Sequence, residues 1–361
     1  MMMFNYNKGE DSFNDIVDEI LELSSYCMNN NKPADYEERA RNVNSAVARY
    51  AVSNTRFEKK FEEQGVEMFK SPQIVRNSDI LENYNVVIAE VINAIAPTVV
   101  SETYTRYLAE VRQVGWGDTA RFLIQSNEMF KVNEIAEGVT RGVLQPIYNN
   151  EMTVDCSTTE IATFIDWYSV ATGVFDWGDF GFRAGRSFEN YVMIKIIAAM
   201  TEATSLLGAA YGVNGVDTDN WTTLADRVSA ANGGATVYAI GTVAALNKCM
   251  PATVGLQYGL GEEMAKDGFL DRYLGVRLIP IAQAMMATKV NTTANLLIPT
   301  NVIYMVASEA NRPVKIVFEG DSVTVEKIPE QTTDKTYWIR VQIKLGVAVV
   351  LGSKHGTITL S

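Results

Sequence analysis

The chain has 361 residues, with 43 Asp+Glu against 31 Lys+Arg and a formal net charge of −12. Hydrophobic residues make up 47% and charged residues 20%, the proportions of a folded protein and not of a disordered one, with room for about two or three lobes. That charge excludes coating nucleic acid by electrostatics alone. The single histidine, His355, leaves almost no basis for a His-rich metal site or a His-based triad. Cys27, Cys156 and Cys249 are scattered and odd in number, so neither a CxxC motif nor a disulfide framework is present, which fits a reducing compartment.

The start, MMMFNYNKGEDSF, lacks the basic and apolar regions of a signal peptide. Two long charge-free stretches, Val228–Asn247 and Val290–Ser308, carry Asn232-Gly233-Gly234 and a run of Asn and Thr with Pro299. Neither reads as a membrane span, and a soluble, cytosolic chain is expected.

In chain order, Ser12 and Asp15 suit a capping box ahead of Ile16, Ile20 and Leu23. Pro33-Ala34-Asp35 then opens a second helix reaching Gln64. Its Tyr36, Val43, Val47, Tyr50, Phe57 and Phe61 are spaced among charges. This arm could pack on its own domain or lie on neighbouring copies. Ile80–Ala96 reads as an apolar helix stopped by Pro97.

Between Tyr104 and Tyr148 the hydrophobic period falls towards two. VRQVGWGDTARFLIQ, MFKVNEIAEG and TRGVLQPIY read as extended segments parted by turns at Gly115–Asp118 and Glu137-Gly138. A two-stranded projection of that length is marginal alone and calls for a partner surface. Its Phe122, Leu123, Phe130, Val132 and Ile135 are expected to bury on neighbours.

EMTVDCSTTEIATFIDWYSVATG follows as one or two strands. The strongest helix is SFENYVMIKIIAAMTEATSLLGAAYG, where Phe188, Val192, Ile196, Met200, Ala203 and Leu207 form one face, with Gly208 and Gly212 at its end. That face is expected to pack on a sheet of the 151–172 and 314–350 strands. WTTLADRVSAANGG (helix), TVYAIG (strand), TVAALNKCM (helix), LGVRLIPI and NVIYMVA (strands) make an α/β lobe. VKIVFEG, SVTVEKI and TYWIRVQIKLGVAVVLG return to strand. The class is α+β.

Chemical motifs are few. Gly115-Trp116-Gly117-Asp118-Thr119-Ala120 spells GxGxxA, but the continuation ARFLIQ is extended and Trp116 suits a pyrophosphate poorly, so a turn is the better reading. No P-loop and no GxSxG elbow occur. Asp166-Trp167 and Asp176-Trp177-Gly178-Asp179 place carboxylates among aromatics, the composition of a sugar cleft. A carbohydrate-acting hydrolase using Asp166, Asp176 and Asp179 is the enzyme alternative. Against it, Asp179 suits a helix N-terminus, where a carboxylate stays ionised and serves poorly as a general acid. Glu262-Glu263 reads as a solvated helix start and His355 as an exposed turn residue. No catalytic, cofactor-binding or metal residue is assigned, and no cofactor is expected.

The order of these parts resembles the major capsid proteins of tailed bacteriophages, the Hong Kong-type fold shared with encapsulin shells. The resemblance is one of layout over nearly the whole chain. It implies an N-terminal helical arm (1–75), a first part of the P-domain (76–103) and an extended two-stranded E-loop (104–150). It further implies a P-domain with the long spine helix (151–215), an α/β A-domain (216–309) and closing P-domain strands (310–361). The implied function is a non-enzymatic subunit of an icosahedral shell, built of pentamers and hexamers of itself around phage DNA without sequence-specific contact. Scaffolding, portal and decoration proteins are possible partners; a membrane is not. An encapsulin-like compartment is the alternative. Some relatives crosslink an E-loop lysine; Lys131 is the only lysine in the ribbon, but nothing marks a partner asparagine.

Overall fold

Apolar positions three and four apart fold most of the described residues between Glu10 and Thr103 into helices. The computed structural model describes residues 10–71, 74, 77–103, 108–124, 150–166, 169, 174–249, 266–283, 296–307, 312–327, 336–351 and 354–360. The chain divides into two units, one from 1–102, 157–189 and 319–345, the other from 103–156, 190–318 and 346–361.

In the first unit, α1 (Glu10–Met28), α2 (Tyr36–Val52) and α3 (Glu58–Gln64) precede a 3-10 turn (Gly65–Lys70) and α4 (Ser78–Thr103). Ser12 and Asp15 lie inside α1, which has already begun at Glu10, so the expected capping box does not start it. Ile20 and Leu23 of α1 and Val43 and Val47 of α2 are buried. Arg39 clips the two helices, its Nε 2.6 Å from Glu19 and its Nη2 2.7 Å from Glu22. The hydrogen bond from Arg39 holds the Glu22 carboxyl below its ordinary range.

The second helix does not run unbroken to Gln64. Ser53 turns to ψ 139 and Asn54 takes φ 60. The Ser53 and Thr55 hydroxyls each donate at 2.7 Å to the carbonyls of Tyr50 and Val52, acceptors that another helical turn would use. Pro97 does not stop α4 either; the helix continues to Thr103 across a residue that cannot donate. Phe57 and Phe61 are buried, as are Tyr36, Val43 and Val47, so these side chains pack within the chain. β4 (Ser157–Asp166) runs antiparallel to β11 (Thr336–Val349), from Ser157 opposite Leu345 to Asp166 opposite Thr336.

In the second unit, β1 (Ala109–Val114) borders β10 (Val314–Lys327), which is one continuous strand where two were expected; Gly320 within it has φ 68. β2 (Arg121–Ile124) pairs with β3 (Asn150–Thr153), Phe122 opposite Met152. A six-stranded sheet follows the order β5 (Gly212–Asn214), β12 (Gly356–Thr359), β9 (Val302–Ala307), β6 (Val237–Thr242), β8 (Val276–Ile281), β7 (Arg272–Tyr273). Gly212 therefore begins a strand and does not end the long helix. Leu274-Gly275, read as strand from sequence, form the β7–β8 turn, with φ 45 and 85.

Helix α6 (Thr218–Ala231) covers the sheet through Trp221, Leu224 and Val228, which share a core with Ile303, Met305 and Ile358. Asp217 caps α6 by accepting from Asn220 N at 2.7 Å, and a short α7 (Val243–Asn247) follows β6.

The long helix, here α5 (Trp177–Leu207), has 31 residues and starts well before Ser187. Phe188, Val192, Ile196, Met200 and Ala203 are buried, as their spacing predicts, while Leu207 at the end of the face is only half-buried. For the C-terminal half of this face the partner differs from expectation. Met193, Ile196 and Met200 enclose a small, largely aliphatic cavity with Ile281, Val302 and Tyr304, so the C-terminal half of α5 faces the six-stranded sheet. Among the described residues, no helix is long and apolar enough to cross a membrane.

Candidate functional site

The three carboxylates singled out in the sequence serve different local purposes. Asp176 precedes α5, and its Oδ1 accepts the Asp179 backbone N–H at 3.0 Å, the bond of a helix N-cap. The same carboxylate accepts the Tyr36 hydroxyl at 2.9 and 3.1 Å, and Lys32 Nζ stands 3.7 Å away. Burial pushes the Tyr36 hydroxyl pKa upward, reinforced by Cys27, 3.1 Å away, and by Asp176. Asn44 Nδ2 donates to the Phe175 carbonyl at 2.7 Å, so α2 is tied to the start of the long helix at two points. Gly178 lets them meet closely: a Cβ there would lie 2.6 Å from Tyr36 Oη.

Asp179 occupies the first turn of α5, as anticipated, and pairs with Arg183 one turn on at 2.7 Å. Trp177 is buried, stacked on Tyr84 with ring centroids 6.5 Å apart and edge-on to Phe175 at 5.0 Å. It is core, not the wall of a sugar cleft. Asp166 ends β4 opposite Thr336; its side chain and Trp167 lie outside the described residues. Asp176 and Asp179 therefore perform helix-end work, which accounts for both without acid–base chemistry. Asp176→Ala is expected to cost about 1–2 kcal/mol through the lost cap and stranded Tyr36 hydroxyl. Asp179→Asn should stay within about 0.5 kcal/mol, because its ion pair is exposed. Urea titrations of both variants check this order.

The Gly115–Asp118 segment is a turn, closed by Asp118 N donating to Gly115 O at 3.1 Å with Gly117 at φ 80; a strand, not a helix, follows. The dinucleotide spelling is thus accounted for by turn chemistry. Within β2, Phe122 is 1% exposed and packs with Ala120, Val154 and Val317. This corrects the expectation that Phe122 buries on a neighbour. Strand alternation turns the next residue outward, and Leu123 is 55% exposed. Phe130, Lys131, Val132, Ile135 and Glu262-Glu263 lie outside the described residues.

His355 is not an exposed turn residue. It is 0% exposed, its Nε2 3.0 Å from Thr204 Oγ1 and 3.2 Å from Met200 O, and Thr204 Oγ1 also meets Thr357 Oγ1 at 2.8 Å. Flanking glycines suggested a loop; the short strand β12 beside it was the signal missed. Among the described residues, no group of three or more His, Cys, Asp and Glu side chains is placed to hold a metal ion.

The described residues hold the long helix α5, helices α1–α4, the β2–β3 pair and a six-stranded sheet covered by α6. A family model described as "SPbeta prophage-derived putative capsid protein YonB" matches residues 38–359. No curated protein matches the sequence. Among solved structures, the chain is similar to the mature capsid subunit of bacteriophage PhiM1, with a TM-score of 0.51 at 12% identity, covering 72% of this chain and 87% of that one. It is also similar to the capsid of cyanophage P-SCSP1u (TM-score 0.48, 12% identity, 72% and 88% covered). A virus-like particle from Pyrococcus furiosus gives 0.41 at 11% identity, with 76% and 99% covered. The first of these likenesses supplies the phage capsid fold, and the family match runs through the long helix and the six-stranded sheet. The chain belongs to the family of the SPbeta prophage-derived capsid protein YonB.

Proposed function

We propose that this chain is the major structural subunit of an icosahedral phage shell, assembling with itself into pentamers and hexamers around DNA. The observation that carries this reading is the capsid-family match across residues 38–359. In this reading residues 1–75 are the arm, 104–150 the E-loop, 216–309 the A-domain, and 76–103, 151–215 and 310–361 the P-domain. The exposed Leu123 at the ribbon root supports a surface made to meet another copy. A net charge of −12 suits a container that encloses DNA without gripping it. The subunit's place is the virion, with assembly in the bacterial host's cytoplasm; portal, scaffolding and decoration proteins are further partners of the class such a shell uses.

Purified protein examined by negative-stain microscopy and sedimentation tests the proposal. Closed shells of uniform size are expected, with or without a co-expressed scaffold from the same source. A chain that stays monomeric under both conditions would overturn it.

A further inference from the structure

Val314–Phe318 of β10 is buried at every position, so both faces of that stretch are covered. Lys315 lies within it at 2% exposure, where its ammonium cannot reach water. Its Nζ lies 2.5 Å from Glu110 Oε2 on β1 and 5.4 Å from the centroid of the Phe122 ring on β2. The other Glu110 oxygen accepts Arg112 Nε at 3.0 Å and Nη2 at 2.8 Å. Arg112 in turn lies 4.4 Å from the Phe122 ring centroid and donates from Nη1 to Arg121 O at 2.7 Å. One line of charge-assisted contacts therefore runs from β10 through β1 to β2. The remaining charges nearby are engaged elsewhere: Arg312 donates to Ala109 O at 3.1 Å, and Arg121 faces Glu151 at 3.7 Å.

The Glu110 side chain is 34% exposed, so the pair is half-buried, with the ammonium as its buried end. Such a pair adds little net stability over an apolar pair of the same volume, but removing Glu110 is costly because the Lys315 charge remains buried. Its effect is therefore on which arrangement forms. Main-chain ladder bonds could be made in more than one register, whereas a slip of one residue would turn Glu110 to the opposite face and leave Lys315 unpaired. We propose that Glu110 and Lys315 form a charge latch that fixes the register of β1 on β10, and with it the 108–124 segment that leads into residues 125–149. The consequence for assembly rests on the shell reading above; the latch itself does not.

Burial raises the Glu110 pKa, but hydrogen bonds from Lys315 and Arg112 outweigh it and hold the carboxyl below its ordinary range. A depressed carboxylate contributes above the ordinary carboxylate range and is lost as pH falls below it. The latch is therefore closed at neutral pH and opens only in acid.

Hydrogen exchange of the 108–124 segment in the full chain tests the latch. Glu110→Gln strands the buried ammonium and should raise opening of that segment about ten- to hundredfold at neutral pH. Lys315→Met removes the buried charge and keeps the volume, so exchange should stay within about threefold of wild type. The combined E110Q/K315M chain should regain near-wild-type protection, the non-additive signature of a direct pair. Wild type, but not K315M, should lose protection in this segment in acid before the 237–242 strand does. E110Q exchanging like wild type, or the double variant exchanging or unfolding like E110Q, would overturn the latch; recovery of a folded double variant from an unfolded E110Q would support it. Shells counted by microscopy separate the two readings: an open 108–124 segment with normal shells keeps the latch and removes its role in assembly.

Discussion

A chain lacking residues 126–148, rejoined by a short Gly-Ser linker, is expected to fold like wild type and form no closed shells. Ile124 and Asn150 are register partners across the β2–β3 pair, so a hairpin-length linker closes the gap without moving either strand. The excision must begin after β2. A larger one spanning 112–142, as the sequence alone would recommend, removes Phe122 from its core with Val154 and Val317. Losing a buried aromatic of that kind costs about 3–5 kcal/mol, and a failure to assemble would then report misfolding. With the shorter excision, the thermal midpoint should hold while sedimentation shows only small species. Normal particles from that chain would show that residues 126–148 are dispensable for assembly.

Ile196→Asp is expected to unfold the α/β unit. Ile196 is 1% exposed and faces Ile281 and Val302 of the six-stranded sheet across an aliphatic cavity. The residues that line this cavity include no cation to pair with a carboxylate. An unpaired polar group in such a site costs several kcal/mol, a large share of the roughly 5–15 kcal/mol that holds a domain together. Ile196→Val, which deletes one methyl, should cost only about 0.5–1.5 kcal/mol. Circular dichroism melts of the pair are the check. An aspartate variant with an unchanged midpoint would place this face in solvent.

The features legible in sequence were those set by neighbours along the chain. A 3.6-residue period marks the buried face of α5 wherever its partner lies, so Phe188 to Met200 could be assigned to the core. The turn at Gly115–Asp118 and the stop of α6 at Asn232-Gly233-Gly234 follow from residues that tolerate positive φ, and Gly233 and Gly234 take 72 and 85. Asp179 at a helix start was equally readable, since first-turn acids act within their own helix.

What sequence could not supply was set by contacts between distant residues. The same helical face could have met either sheet, because aliphatic surfaces carry no address; tertiary structure put its C-terminal half against the six-stranded sheet. Phe122 and Leu123 are adjacent and equally apolar, yet one packs inside and the other faces out, because strand pairing decides which face is covered. His355 looked like a loop residue until β12 was paired between β5 and β9. Lys315 lies in a segment read only as strand, and its partner Glu110 stands 205 positions earlier in the chain. The sequence by itself determined the buried face of the long helix and the turns set by Gly117, Gly233 and Gly234. The tertiary structure alone decided which surfaces meet, because burial belongs to pairs of elements and not to either one.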